Sequence, residues 1–222
     1  MGVEQLAMAT HCTILGPVDM IRSHGRSPLL SATLCFWLFS VTLSGVAQDT
    51  RFDIWKGNDI IGSVLARKTV SHDRTLYLMT SYSEIDMIWK QVIRSLVSTE
   101  YRNGTLSTCN SHVKVNGSVR DSSHFTTRTD DLHCYVHPDQ RFAHHEPVAW
   151  TTARMYFEEP VGQKTIFVES VLKHCALQPL GNGQYRLTLP DGKVNRYLYT
   201  NGRLEEIHVD RSLFDLVFRR DG

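Results

Sequence analysis

Five turn dipeptides constrain the fold of this chain more than any other feature of its sequence. Asn-Gly occurs at 103–104, 116–117, 182–183 and 201–202, and Asp-Gly occurs at 191–192. These residues tolerate the positive φ angles that two-residue hairpin turns require, so each dipeptide is typical of a reversal between antiparallel strands. The segments between them are rich in Thr, Val, Tyr, Leu and Ile, which favour strands. The sequence therefore predicts an all-β protein built as an antiparallel meander.

The predicted strands fill most of the chain after residue 50. No segment in this region has a convincing helical period, and Met87–Leu96 is the best candidate for a short helical turn. The stretch 137–150, which contains Pro138 and Pro147, is expected to be the longest irregular loop. Strands are expected at 51–56, 60–71, 75–86, 90–102, 105–115, 118–128, 132–136, 152–157, 164–172, 184–190, 193–200, 203–210 and 213–219.

The last two hairpins can be placed in register. A two-residue turn at 191–192 puts Leu189 opposite Val194, and a turn at 201–202 puts Val209 opposite Val194 as well. A meander of this length must curl or fold over to cover an apolar face, so we expect a barrel, a half-barrel or a two-layer sandwich. The predicted apolar face carries Leu187, Leu189, Val194, Leu198, Ile207 and Val209. The predicted solvent-facing side carries Arg186, Thr188, Asn195, Tyr197, Tyr199, Glu206 and His208.

The N-terminal region has the layout of a secretory signal. Met20 opens a short stretch with Arg22 and Arg26, an apolar run follows at 29–39, and small residues occupy 44–47. A basic N-terminal region, a short apolar region and small residues at a cleavage site are typical of a signal peptide. This layout predicts cleavage after Ala47.

The signal defines the expected domain organisation. Residues 1–19 are interpreted as a gene-model extension before the true start, and residues 20–47 as the signal peptide. Residues 48–222 then form a single antiparallel β-domain of 175 residues that works in the periplasm or is secreted. No second long apolar run follows, so the mature chain is not expected to cross a membrane.

Composition narrows the classes of partner. The formal net charge is +1, which gives no long-range attraction to nucleic acid or an anionic membrane, and there is no glycine-rich phosphate loop. No nucleic-acid partner and no cofactor are expected. Cys109, Cys134 and Cys175 remain after signal removal, and this odd count permits either one disulfide with a free thiol or three buried unpaired thiols.

The densest group of metal-ligating residue types lies in 133–146. His133, His137, His144 and His145 are candidate metal ligands because imidazole is a preferred ligand of zinc and copper. On an extended strand His133 and His137 lie roughly 13 Å apart, at about 3.3 Å per residue, so one ion can bind both only if the loop folds back. The alternative interpretation is an exposed histidine-rich loop.

Two further patterns contain the residue types of catalytic groups. The turns at 103–104 and 116–117 would align Ser95, His112 and Asp121 across three strands, in the order used by nucleophilic hydrolases. The alternative is a polar sheet face. Glu158 and Glu159 could serve glycoside chemistry, but neighbours on a strand point to opposite faces, so we expect one in solvent and the other bonded to backbone.

The chain also resembles a family of exported bacterial proteins of unknown function. The resemblance rests on Phe52–Trp55 with Ile61-Gly62, on Met155–Pro160, and on the hairpin pattern from Leu189 to Gly202. It covers roughly the whole mature chain. It implies an exported, all-antiparallel β-domain with no established activity, and it supplies no catalytic residues.

We therefore expect a non-catalytic domain that binds an apolar small molecule, such as a lipid, or an envelope protein. One alternative is a metal-dependent or hydrolytic envelope enzyme. The other is an interaction or scaffold protein that uses an exposed sheet edge or the 137–150 loop.

Overall fold

The computed structural model describes residues 45–86, 89–128, 131–210 and 215–222. The expected extension at 1–19 and nearly all of the signal at 20–47 lie outside these residues. The first strand begins at Val46, so cleavage after Ala47 would remove its first two residues. In the described part of the chain, no helix has the length and apolar character needed to cross a membrane.

Within the described ranges the chain forms fourteen strands and one short helix. The strands are β1 (Val46–Lys56), β2 (Asp59–Ser71), β3 (Arg74–Asp86), β4 (Lys90–Arg102), β5 (Thr105–Val115), β6 (Ser118–Arg128), β7 (Asp131–Val136), β8 (Gln140–His144), β9 (Thr165–Val168), β10 (Lys173–Gly181), β11 (Gln184–Thr188), β12 (Val194–Thr200), β13 (Arg203–Val209) and β14 (Leu216–Arg220). The helix is α1 (Thr152–Met155), between β8 and β9.

All fourteen strands belong to one antiparallel sheet, which confirms the predicted fold class. The order is β8-β7-β6-β5-β4-β3-β2-β1-β14-β13-β12-β11-β10-β9. Two sequential meanders, β1–β8 and β9–β14, are thus joined where β1 pairs with β14. The sheet has two ends, β8 and β9, and hydrogen-bonded pairing among the described residues does not close it into a ring.

Four local predictions were wrong. Part of the expected loop at 137–150 forms β8, and the expected strand at 152–157 contains α1 instead. The stretch 164–172 holds only the four residues of β9, and β10 then begins at Lys173. The described part of Met87–Leu96 is extended and belongs to β4, so it is not helical.

A repeated bulge gives the sheet its curl. After each of four tight turns two residue pairs form, and the register then shifts by one residue. The extra residue is Ile61, Ser107, Arg120 or Glu205, always three positions after the turn. A bulge bends its strand and increases the local twist, so the four bulges together curl the long meander around its apolar face.

These shifts overturn the predicted register of the last hairpins. The turn after β11 has three residues, 190–192, because the Leu189 N–H donates to the Lys193 carbonyl. A bulge between Leu198 and Tyr199 adds a second shift on the other side of β12. Tyr197 and Tyr199 are therefore buried, where Val194 and Leu198 were expected, whereas Leu187, Ile207 and Val209 face the core as predicted.

The curled sheet encloses residues 148–160, hereafter the inner segment. Val148, Ala153 and Met155 are almost completely buried, and Tyr156 packs edge-on against Phe52 of β1 with ring centroids 5.3 Å apart. The core thus forms between the inner face of the sheet and a piece of chain inserted into it. Cys109, Cys134 and Cys175 are buried and form no disulfide among the described residues.

Candidate functional site

Tyrosines on the inner face of the sheet hold the inner segment. Tyr101 of β4 donates to Thr151 Oγ1 over 3.0 Å, and Tyr199 of β12 donates to the Met155 carbonyl over 2.6 Å. Burial raises the pKa of both phenols far above the usual value, so both remain neutral donors. These bonds fix the inner segment from two opposite parts of the sheet.

Glu158 forms the main polar contact between the inner segment and the first meander. Its carboxylate accepts from Lys68 Nζ at 2.7 Å, from the Tyr77 hydroxyl at 2.9 Å, and from two Arg154 nitrogens at 2.8 and 2.6 Å. Burial opposes ionisation, but these donors outweigh it and lower the pKa of Glu158. Glu159 is half-buried like Glu158 and accepts from the Tyr185 hydroxyl, whereas one of the two acids was expected to face solvent.

Glu169, in the turn after β9, is a buried carboxyl group. It accepts from the Ala153 N–H at 2.7 Å and from the Thr152 hydroxyl, so it satisfies donors at the start of α1. Burial raises its pKa, and the hydrogen bonds from Thr152 and Ala153 only partly offset that rise. Its partners are groups of the inner segment, which gives Glu169 a structural role.

The four predicted metal ligands are spread around the β7–β8 hairpin. His133 is exposed and lies opposite Ala143, and His137 is exposed in the turn. His144 points inward and packs on Phe167 at 5.3 Å, whereas His145 is exposed. Among the described residues, no group of three or more His, Cys, Asp or Glu side chains is arranged to hold a metal ion.

The imidazole of His174 on β10 lies beside that of His144, with ring centroids 5.5 Å apart. Burial, with the neighbouring His174, lowers the pKa of His144. His144 therefore contributes to packing between the two ends of the sheet.

The proposed Ser95-His112-Asp121 alignment was wrong. The bulge between Glu100 and Tyr101 puts Leu96 opposite His112, and Ser95 lies opposite Val113 instead. Because cross-strand partners share a face, His112 lies on the other side of the sheet from Ser95. The Ser95 hydroxyl lies 2.6 Å from the Ser81 hydroxyl, in a polar pair between β3 and β4.

The two ends of the sheet differ in what covers them. On β9, Phe167 forms a parallel bridge with Thr151, and its N–H donates to the Trp150 carbonyl, so the inner segment covers this edge. On β8, no other strand of the described chain pairs with the side that faces away from β7. β8 is therefore the open edge of the sheet over Gln140–Ala143, whereas its last residue, His144, packs on β9 and β10.

The backbone groups that face this open edge follow from the register. The His137 N–H donates to the Ser122 carbonyl, so the neighbouring residue Val136 directs its backbone groups toward β8. Val136 pairs with Gln140 of β8. Because backbone N–H and carbonyl groups alternate in direction along a strand, the even-numbered residues of β8 direct these groups toward β7. Arg141 and Ala143 direct their N–H and carbonyl groups to the open side.

A surface groove of about 490 Å³ adjoins this edge. The Arg141 guanidinium lies over the Tyr135 ring at 5.7 Å, and Tyr135 also pairs with His124 of β6. No local sequence pattern marks this groove, because it depends on how three neighbouring strands align. It is lined by His124, His133, Cys134, Tyr135, Arg141, Phe142 and Ala143.

Comparisons with known proteins agree with this architecture. Residues 52–221 match the model of a family described as a domain of unknown function, DUF6134. The crystal structure of a beta-barrel-like protein of domain of unknown function DUF1849 from Brucella abortus is similar, with a TM-score of 0.51 and 13% sequence identity. The match covers 79% of this chain and 96% of that chain, and it shows a common fold alone. Comparison with curated proteins gives no match.

Proposed function

The chain belongs to the DUF6134 family, and we propose that its domain is an exported, non-catalytic module that binds an extended segment of a partner protein at the open edge of β8. The observation that carries the proposal is the difference between the two ends of the sheet, since the inner segment covers β9 whereas β8 is open. An open strand offers N–H and carbonyl groups to a further strand, which is a common mode of peptide recognition.

Two features support a polypeptide partner over the other candidates, and a third supports export. Met155 and Tyr156 occupy the core, so the space that an interior apolar ligand would need is filled by the chain itself. The separation of Ser95 from His112 removes the support for hydrolysis. The predicted signal peptide supports export, which would place the partner in the cell envelope or outside the cell.

The test is selection of peptides from a random display library on the full chain and on two variants. Ala143→Pro removes an N–H that faces the open side while leaving the β7–β8 hydrogen bonds in place. Ala143→Ser keeps that N–H and is the matched control. We expect peptides to bind the wild type and Ala143→Ser, and to lose at least about tenfold in affinity for Ala143→Pro.

Amide hydrogen exchange of the wild type gives a second measurement that does not depend on the proline variant. On peptide binding, exchange at Arg141 and Ala143 should slow, because their N–H groups become hydrogen-bonded. The proposal is wrong if the library yields no binder, or if selected peptides leave these two amides unprotected.

A further inference from the structure

We infer that the groove beside β8 selects an acidic partner strand, in which residues facing the outer surface carry carboxylates and the alternating residues are apolar. This inference rests on the proposed strand addition and specifies the chemistry of the partner. It concerns the outer face of the three neighbouring strands β6, β7 and β8, where His124, His133 and Arg141 line the groove.

The side chains that line the groove favour an acidic partner. The lining residues include one guanidinium and two imidazoles, and none of them is an Asp or a Glu. Arg141 is exposed, and its guanidinium rests on the Tyr135 ring, which orients it without neutralising its charge. The Tyr135 hydroxyl donates to the Pro138 carbonyl at 2.8 Å, so the ring itself is held in place.

Side chains along β8 point alternately to the outer face and to the core. A strand added to the open side would place one side chain opposite Arg141 and another opposite Ala143, both on the outer face. The side chain between them would lie opposite Phe142, which is half-buried and packs against the core. An acid opposite Arg141 and an apolar residue opposite Phe142 therefore give the best complementarity.

Arg94 of β4 provides a matched control for the charge. Its guanidinium lies over the Tyr82 ring at 5.4 Å, and the two residues are cross-strand partners, as Arg141 and Tyr135 are. Both neighbours of β4 in the sheet are in place, so no strand can be added there. Arg94→Glu thus makes the same change in net charge at a site that cannot accept a partner strand.

The test measures binding of three synthetic peptides to the full chain by fluorescence anisotropy. The first alternates Glu and Val, the second alternates Lys and Val, and the third contains Glu and Val in blocks. We expect the alternating Glu peptide to bind best. Arg141→Glu should weaken its binding by roughly five- to tenfold and strengthen binding of the Lys peptide, whereas Arg94→Glu should change neither.

The outcomes separate this inference from the proposed function. If both alternating peptides bind equally and Ala143→Pro abolishes both, strand addition holds and the acidic preference is wrong. If the Glu peptide binds in a way that needs Arg141 but is unaffected by Ala143→Pro, the groove takes acids without strand addition. Equal binding of the blocked and alternating Glu peptides would overturn the proposed alternation, and no binding by any peptide would overturn both proposals.

Discussion

At the scale of single residues, the carboxylate of Glu158 connects the inner segment to β2 and β3. Replacing it with glutamine removes the charge that faces Lys68 and Arg154, both of which are largely buried with it. We expect Glu158→Gln to lower the free energy of unfolding at neutral pH by about 1–3 kcal/mol, because hydrogen bonds to charged groups are worth that much. Urea unfolding at several pH values measures the effect.

The pH dependence of this effect has a definite sign. The pKa of Glu158 is lowered in the folded state, so its contribution is complete above the ordinary value of 4.5 and is lost as the pH falls through the folded-state value. The difference between wild type and Glu158→Gln should therefore shrink on acidification below 4.5. Glu159→Gln is the control, since Glu159 accepts from Tyr185. A larger effect in this control would contradict the central role of Glu158.

Glu169 titrates in the opposite direction. Burial raises its pKa, so the folded state resists ionisation, and stability falls as the pH rises from 4.5 through the folded-state value. Glu169→Gln stays neutral and should lack this fall, so it should be better tolerated at neutral pH than in acid. Glu169→Ala leaves the Ala153 N–H and Thr152 hydroxyl without their acceptor and should cost about 2–4 kcal/mol at either pH. Equal stabilities of the two variants would contradict this assignment.

At the scale of strands and turns, the turn dipeptides predicted the meander well. All six strands from β2 to β7 lie within one residue of their expected bounds. The turns on either side of β5 carry Asn-Gly, with both residues at positive φ, as the dipeptides predicted. Residues such as Ser107 and Glu205 have no such signature, so the bulges were not predictable. Each bulge displaces every later pair by one residue, and this turned Tyr197 and Tyr199 inward and separated Ser95 from His112.

The candidate site was less predictable than the fold. The histidines of 133–146 lie on the hairpin that carries the proposed site, but β8 itself was predicted as loop because Pro138 and Pro147 flank it. α1 has four residues, which is too short for a helical period to be detected. The open edge depends on pairing between distant parts of the chain, and no local pattern encodes that.

A substitution at Gly62, which follows the bulge residue Ile61 in β2, tests the close packing of β2 on β3. A Cβ atom at this position would lie 2.0 Å from the Tyr82 carbonyl oxygen and 2.6 Å from the Ser83 Cα, both of which are backbone atoms of β3. Gly62→Ala should therefore destabilise the protein by about 3 kcal/mol or more. Gly57→Ala is the control, because Gly57 has a φ of +61° but no atom would lie within 4 Å of its Cβ, and it should cost about 1–2 kcal/mol. Thermal unfolding of both variants should give this order, and the reverse order would contradict close packing of β2 on β3.

At the scale of the domain, the inner segment fills the curled sheet and also determines which edge is available. It packs on the inner face through Tyr101 and Tyr199, and it covers β9 through Trp150 and Thr151. The same segment therefore removes the interior as a ligand site and leaves β8 as the open end. We therefore expect binding at the outer surface, because the inner surface is already occupied.

This arrangement predicts that the protein carries no apolar ligand in its interior. Native mass spectrometry of the full chain should give the mass of the polypeptide alone, since Tyr156 and Met155 occupy the core against Phe52. Tyr156→Ala should cost about 3–5 kcal/mol, because the lost ring leaves a cavity that the surrounding sheet can only partly fill. That cavity is apolar, so this variant, unlike the wild type, should retain small apolar molecules. An adduct of several hundred daltons on the wild type that is lost on denaturation would instead mean that the inner segment yields to a ligand, and the interior would then replace β8 as the functional site.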